Sequence, residues 1–201
     1  MARPESPVHD EVTTMARGDR VPRGIDIAEA RLSRTVRVRL ELEHQLRSLC
    51  GNPPTGKSMT FTSLQVRVLL SMLTEADSPL SANLRATVAE ILGAAGIVGA
   101  AAQLREIALD EAEGLQTRLN AAKSFIRLGG RIRSADVTRL LESDSPVLRA
   151  AVCVAALESD NDRLFALAQS WFHKVGDDEV RRYVQHRVPR LRDTQKTADD
   201  A

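Results

Sequence analysis

The stretch EADSPLSANLRATVAEILGAAG, residues 75–96, and its later counterpart ESDSPVLRAAVCVAAL, residues 142–157, carry the fold. Both pass from an acidic turn through Asp-Ser-Pro into an apolar run with an arginine near its start. Ser before Pro is a strong helix opening. The hydroxyl can accept from a free backbone N–H, and proline at the first helical position has no N–H to leave unpaired. The tripeptide recurs at twice a shorter period. Asp77, Asp110, Asp144 and Asp177 follow one another at 33, 34 and 33 residues. Arg85, Arg118, Arg149 and Arg182 follow those turns. A period in this range indicates stacked two-helix units.

Apolar residues recur at helical spacing after each turn. Leu84, Val88, Ile91, Leu92 and Ala95 make one stripe. Leu115, Leu119, Ala122 and Ile126 make the next, followed by Val147, Ala151, Val154 and Ala155, then Val180, Tyr183, Val184 and Val188. Partner helices carry Ile97, Ala101, Leu104 and Ala108, then Val137, Leu140 and Leu141, then Leu164, Leu167, Ala168, Trp171 and Phe172. Residues 61–76 are apolar on several sides, the mark of a helix covered on more than one face. The pattern sorts into four helix pairs, roughly 61–95, 97–129, 133–158 and 161–189. Gly96, Gly129, Gly130 and Gly176 are placed to end helices, and Pro189 to stop the last.

Upstream, residues 26–49 read as one long helix with Leu32, Val36, Leu40, Leu42 and Leu46 as its apolar positions. VRVRLELE, residues 36–43, also alternates with the period of a strand. Helix is preferred, because Glu, Leu, Arg and Gln dominate and no partner strand follows; Arg39 and Glu43 then form an i,i+4 pair. This helix is expected to cap the first pair. The fold expected is all-α, a short α-solenoid of about four helix pairs with an N-terminal capping helix. Residues 1–24, with three prolines and no apolar core, read as a disordered tail. Residues 25–60 read as the capping helix and its loop, 61–192 as the repeat domain, and 193–201 as a second tail.

Composition narrows the function. Of 201 residues, 43% are hydrophobic, enough for a core, and 3% are aromatic, too few for a typical sandwich or barrel. The net charge of +1 gives no global pull toward nucleic acid or an anionic membrane. No run approaches the length of a membrane span. Cys50 and Cys153 belong to no ligand pattern; they read as reduced thiols in a cytoplasmic protein, Cys153 as packing. The excess of Arg over Lys and the abundance of Ala suggest a bacterial source.

At this point LRATVAEILGAAG (84–96), RLNAAKSFIRLGG (118–130) and LRAAVCVAAL (148–157) resemble the second-helix phrase of HEAT repeats. The period is shorter than the roughly 40–47 residues usual for that family and is closer to short bacterial HEAT-like units. The resemblance implies a structural role for the Asp and Arg series, linking neighbouring repeats. It also implies a partner held on the concave face of the second helices.

Several motifs compete for chemistry. Gly51, Gly56, Lys57 and Ser58 satisfy the GxxxxGK[ST] phosphate-binding pattern within GNPPTGKS. The preceding HQLRSLC is a poor strand, so the segment reads as a flexible turn, with nucleotide binding as an alternative. His173 reads as a helix-end capping partner. His44 and His186 lack a ligand at i+3 or i+4. Arg181, Arg182, Arg187, Arg190 and Arg192 form a basic terminal stretch, read as a solvated end cap. No nucleophile–base–acid series, cofactor motif or metal cluster stands out. The expectation is a non-catalytic interaction scaffold that contacts an acidic protein segment through Glu90, Lys123, Arg127, Arg181 and Gln185. A HEAT-like nucleic-acid binder or DNA glycosylase-type enzyme is the alternative on the same scaffold.

Overall fold

The computed structural model describes residues 24–49, 59–74, 82–129 and 132–188. Among them the chain forms α-helices, one short 3-10 turn and no strand. The chain divides into two units, residues 1–34 and 35–201. In the first, the described residues are the opening of α1, Gly24–Leu49. The second holds the rest of α1 and everything below.

Among the described residues, eight helices follow α1 in four pairs. They are α2 (Ser63–Thr74) with α3 (Ala82–Ala94), and α4 (Ala101–Leu109) with α5 (Leu115–Arg127). Then come α6 (Ser134–Leu141) with α7 (Pro146–Leu157), and α8 (Asp162–Lys174) with α9 (Asp178–Arg187). These are the pairs the period predicts. Helices α2, α4, α6 and α8 touch in succession as one layer; α3, α5, α7 and α9 do the same as a second. Burial is therefore between neighbours, the arrangement of a short helical solenoid. One continuous apolar core joins the layers, with Leu69, Val88, Leu92, Leu104, Ile126, Leu141, Leu148, Leu157 and Val184 all buried.

In α1, VRVRLELE is helical, and Arg39 Nε donates to Glu43 Oε1 at 3.1 Å. The buried face is Leu42 and Leu46, with Val38 and Leu49 half-buried beside them. Val36 and Leu40, expected in the stripe, are exposed instead. Leucines at 42 and 46 are one turn apart, whereas 36 and 40 lie on a different side of the helix. The side chain of Leu32 lies outside the described residues.

The helix ends follow capping chemistry. Ser145 accepts from the Leu148 N–H at 3.3 Å, with Pro146 at the first helical position. Asn161 caps α8 and Asp177 caps α9 in the same way. Gly96 and Gly129 take φ of +68° and +67°, the left-handed turn that glycine makes without a steric penalty. Gly176 does not, contrary to expectation: α8 ends at Val175 in extended conformation, which needs no glycine. Asp77, Ser78, Pro79, Gly130 and Pro189 lie outside the described residues, as do both expected tails apart from Gly24.

An arginine series ties the pairs together. Arg85 donates from Nε and Nη2 to the Leu73 carbonyl at 3.1 and 2.7 Å, and Arg118 Nε to that of Ala108 at 3.3 Å. Arg149 Nη1 donates to the Ser143 carbonyl at 2.8 Å. In the fourth pair the donor is Arg181, to the Val175 carbonyl at 2.7 Å. Leu73 and Ala108 lie in the last turn of their helices, where carbonyls lack intrahelical partners, and Ser143 and Val175 lie just past the ends of theirs. Arg182, expected in this role, is exposed and donates to the Asp178 carbonyl within its own helix at 3.3 Å. Two of the series also reach the next pair: Arg85 to Glu113 and Arg149 to Asp177, both at 2.9 Å.

Two further contacts set spacing between pairs. Arg105 meets Asp136 through two bonds of 2.7 Å, joining α4 to α6. The Arg105 guanidinium holds the buried Asp136 carboxyl below its ordinary value, against the opposing effect of desolvation. Between α3 and α5 the approach is close. A Cβ on Gly93 would lie 2.7 Å from the Ser124 Cα, so the absence of a side chain sets the distance between these helices.

Candidate interaction groove

The second layer carries a groove of about 850 Å³ along α7, walled by α5 on one side and α9 on the other. Its floor is Val147, Ala151, Val154 and Ala155 of α7. These were expected to be core. The core side of α7 is instead Leu148, Val152, Cys153, Ala156 and Leu157, all buried. Val147 is 55% exposed and Tyr183, on the α9 wall, 47% exposed. The available signal was the helix as a whole: PVLRAAVCVAAL is apolar nearly all round, and such a helix is covered on more than one face.

The walls carry charge. Lys123 and Arg127 stand one turn apart on α5, above Leu119 and Ile126. On α9, Arg187 lies over the Tyr183 ring, 5.7 Å from its centroid. Glu158 and Asp160 lie at the end where α7 turns toward α8. Among the described residues, Lys123, Arg127 and Arg187 have no carboxylate partner. Three cations face two anions in the groove, so the local balance is basic.

Of the residues expected to contact a partner, Lys123 and Arg127 line this groove together. Glu90 lies at the α3–α5 seam, where Asn120 Nδ2 donates to its Oε2 at 3.4 Å and to the Ala86 carbonyl at 3.1 Å. Arg181 belongs to the arginine series, and Gln185 is half-buried with a polar contact of its own. None of these three lines the groove. Val147, Ala151, Val154, Ala155, Tyr183 and Arg187 are among its members that sequence reasoning assigned elsewhere.

The remaining candidates are dispersed. Gly51, Gly56, Lys57, Ser58 and Cys50 lie outside the described residues, as do Arg190 and Arg192. His44, His173 and His186 are exposed, with Phe172 edge-on to His173 at 6.0 Å. Among the described residues no three His, Cys, Asp or Glu side chains come together to hold a metal. No helix among them is long and apolar enough to cross a membrane. Cys153 is buried, and burial pushes its thiol up to about 12.

No family model, curated protein or solved structure matches the chain.

Proposed function

We propose that this chain is a non-catalytic protein–protein interaction module, a HEAT-like solenoid that holds a partner against the face made by α5, α7 and α9. The observation that carries this reading is the apolar floor left open on α7. Val147 and Tyr183 keep about half their surface in water on a layer whose other side is closed core. Clustered, exposed apolar surface with a charged rim is the usual anatomy of a docking face. The cations on both walls favour a partner segment bearing carboxylates. The lining offers the hydroxyls of Ser159 and Tyr183 with no imidazole or thiol beside them, which fits docking better than group transfer.

Charge reversal tests the reading. In a pull-down from the native host, Lys123→Glu with Arg127→Glu is expected to lower recovery of the bound protein while leaving the helical content and melting temperature unchanged. Equal recovery by a folded double variant rejects the groove as the docking face.

A further inference from the structure

The chemistry of the groove specifies the shape of what lies in it. We infer that its occupant is a single amphipathic α-helix, antiparallel to α7, with small or medium apolar residues toward the floor and carboxylates in its first turn. The inference rests on the reading of this face as a docking surface and adds the conformation, direction and charge of the docked segment.

Backbone accounting argues for a helix. The floor is one helix and the walls are two others, so their backbone N–H and C=O groups are already paired along α5, α7 and α9. An extended segment laid on Val147, Ala151, Val154 and Ala155 would press its own N–H and C=O groups onto side chains that offer no partner. Each such burial is costly. A helix satisfies those groups internally and presents only side chains, the helix-in-groove mode of recognition. Ala151 and Ala155, one turn apart, let a helix backbone come close. Val147 and Tyr183 bracket them with larger contacts. From Val147 to Glu158 the floor runs roughly 16 Å at about 1.5 Å per residue, about three helical turns.

Direction follows from charge. Short turns reverse each successive helix, so α5, α7 and α9 run the same way and their C-termini gather at Arg127, Glu158 and Arg187. The negative ends of three helix dipoles therefore lie at that end of the groove. An antiparallel occupant brings its positive N-terminal end there. Helix N-termini favour Asp and Glu, and such residues in the first turn of the occupant meet Arg127 on one wall and Arg187 on the other. Glu158 and Asp160 at the same end exclude a uniformly acidic segment, since carboxylates placed over α7 itself would face them. The acidic positions are accordingly on the flanks of the apolar stripe and not within it.

Peptide display on the full chain tests this. A random linear peptide library is selected on immobilised wild-type protein, and the winners are synthesised. The expected winners have apolar residues at i, i+4 and i+7, carboxylates toward the N-terminus, and circular dichroism that turns helical on binding. Val147→Lys is expected to weaken them at least about tenfold, the effect of one lost anchor. Ala151→Arg, which fills the groove floor at a half-buried position, is a second variant, and the melting temperature of each variant is measured first. Winners rich in proline or in basic residues, winners indifferent to both substitutions, or no enrichment at all overturn the inference. The two levels separate cleanly. Loss of the native partner on Lys123→Glu with Arg127→Glu, together with extended winners, keeps the docking face and rejects the helix. Helical winners with undiminished native recovery keep the groove chemistry and reject its assigned role.

Discussion

Arg149 Nη2 stands 2.9 Å from Oδ2 of Asp177, and Oδ1 of the same carboxylate accepts from the backbone N–H groups of Glu179 and Val180 at 3.0 and 3.1 Å. One side chain therefore starts α9 and fastens it to α7. The Val180 N–H is the largest influence holding this carboxyl below its ordinary 3.8, helped by the Glu179 N–H and by Arg149. Asp136 is lowered in the same direction, chiefly by Arg105. A carboxylate whose folded pKa lies below its unfolded value stabilises the fold above the unfolded pKa. That contribution disappears as pH falls through the folded one.

These carboxylates are therefore expected to leave the melting temperature unaffected near neutrality and to lower it as pH falls below about 3.8, where they take up protons. The Asp136→Asn, Asp177→Asn double variant is expected to melt lower than wild type at pH 7 and to lose less on acidification. Parallel melting curves against pH for the two proteins would exclude this assignment.

Arg181 and Arg182 are adjacent, yet alanine is expected to cost far more at the first than at the second. Arg181 closes the end of α8 through the Val175 carbonyl, whereas Arg182 bonds within α9 at the surface. Arg181→Ala is expected to cost about 1–2 kcal/mol, the scale of a charge-assisted hydrogen bond partly open to water. Arg182→Ala should stay within about 0.5 kcal/mol. Urea unfolding of the two variants decides which arginine belongs to the series.

Gly93 permits the close approach of α3 to α5. Alanine there gains about 0.8–1 kcal/mol of helix propensity. It also drives a Cβ to 2.7 Å from the Ser124 Cα, and that overlap should dominate. A net loss of about 1–2 kcal/mol is expected once the overpacking penalty is set against the propensity gain. Adding Ser124→Gly should recover part of the loss, because it removes the Ser124 side chain but not its backbone. Stabilisation by Gly93→Ala alone would show that the helices separate freely.

Cys153 is expected to stay unmodified in the native protein. Its thiol is buried and pushed up to about 12, so the thiolate that reacts is scarce at neutral pH. In a Cys50→Ser background, a thiol reagent should label the chain at the rate of unfolding and immediately in denaturant. Rapid labelling of the folded protein would contradict the burial.

The helix pairs were legible because turns punctuate the chain regularly, and Ser145 and Asp177 announce helix starts through chemistry local to the sequence. What lay beyond local chemistry was read less well. Arg181 and Arg182 share composition and differ only by the rotation of one residue about α9, so a spacing count selected the wrong one of the two. On α7, Val147 and Leu148 are both aliphatic, and whether one meets the core or the groove depends on which neighbours flank the helix. Lys123 and Arg127 come together on the groove wall because both fall on one face of a helix at i,i+4. Glu90 shared that polar character but was taken up by Asn120 from the adjoining helix, a contact across 30 residues that local pattern does not encode.

In the second layer α5 is flanked by α3 and α7, whereas α9 packs on α7 from one side. A ligand seated in the groove would touch α9 as well as α7 and so hold that wall against local opening. Occupancy is then readable without any label on the ligand, as slowed amide exchange confined to Asp178–Arg187.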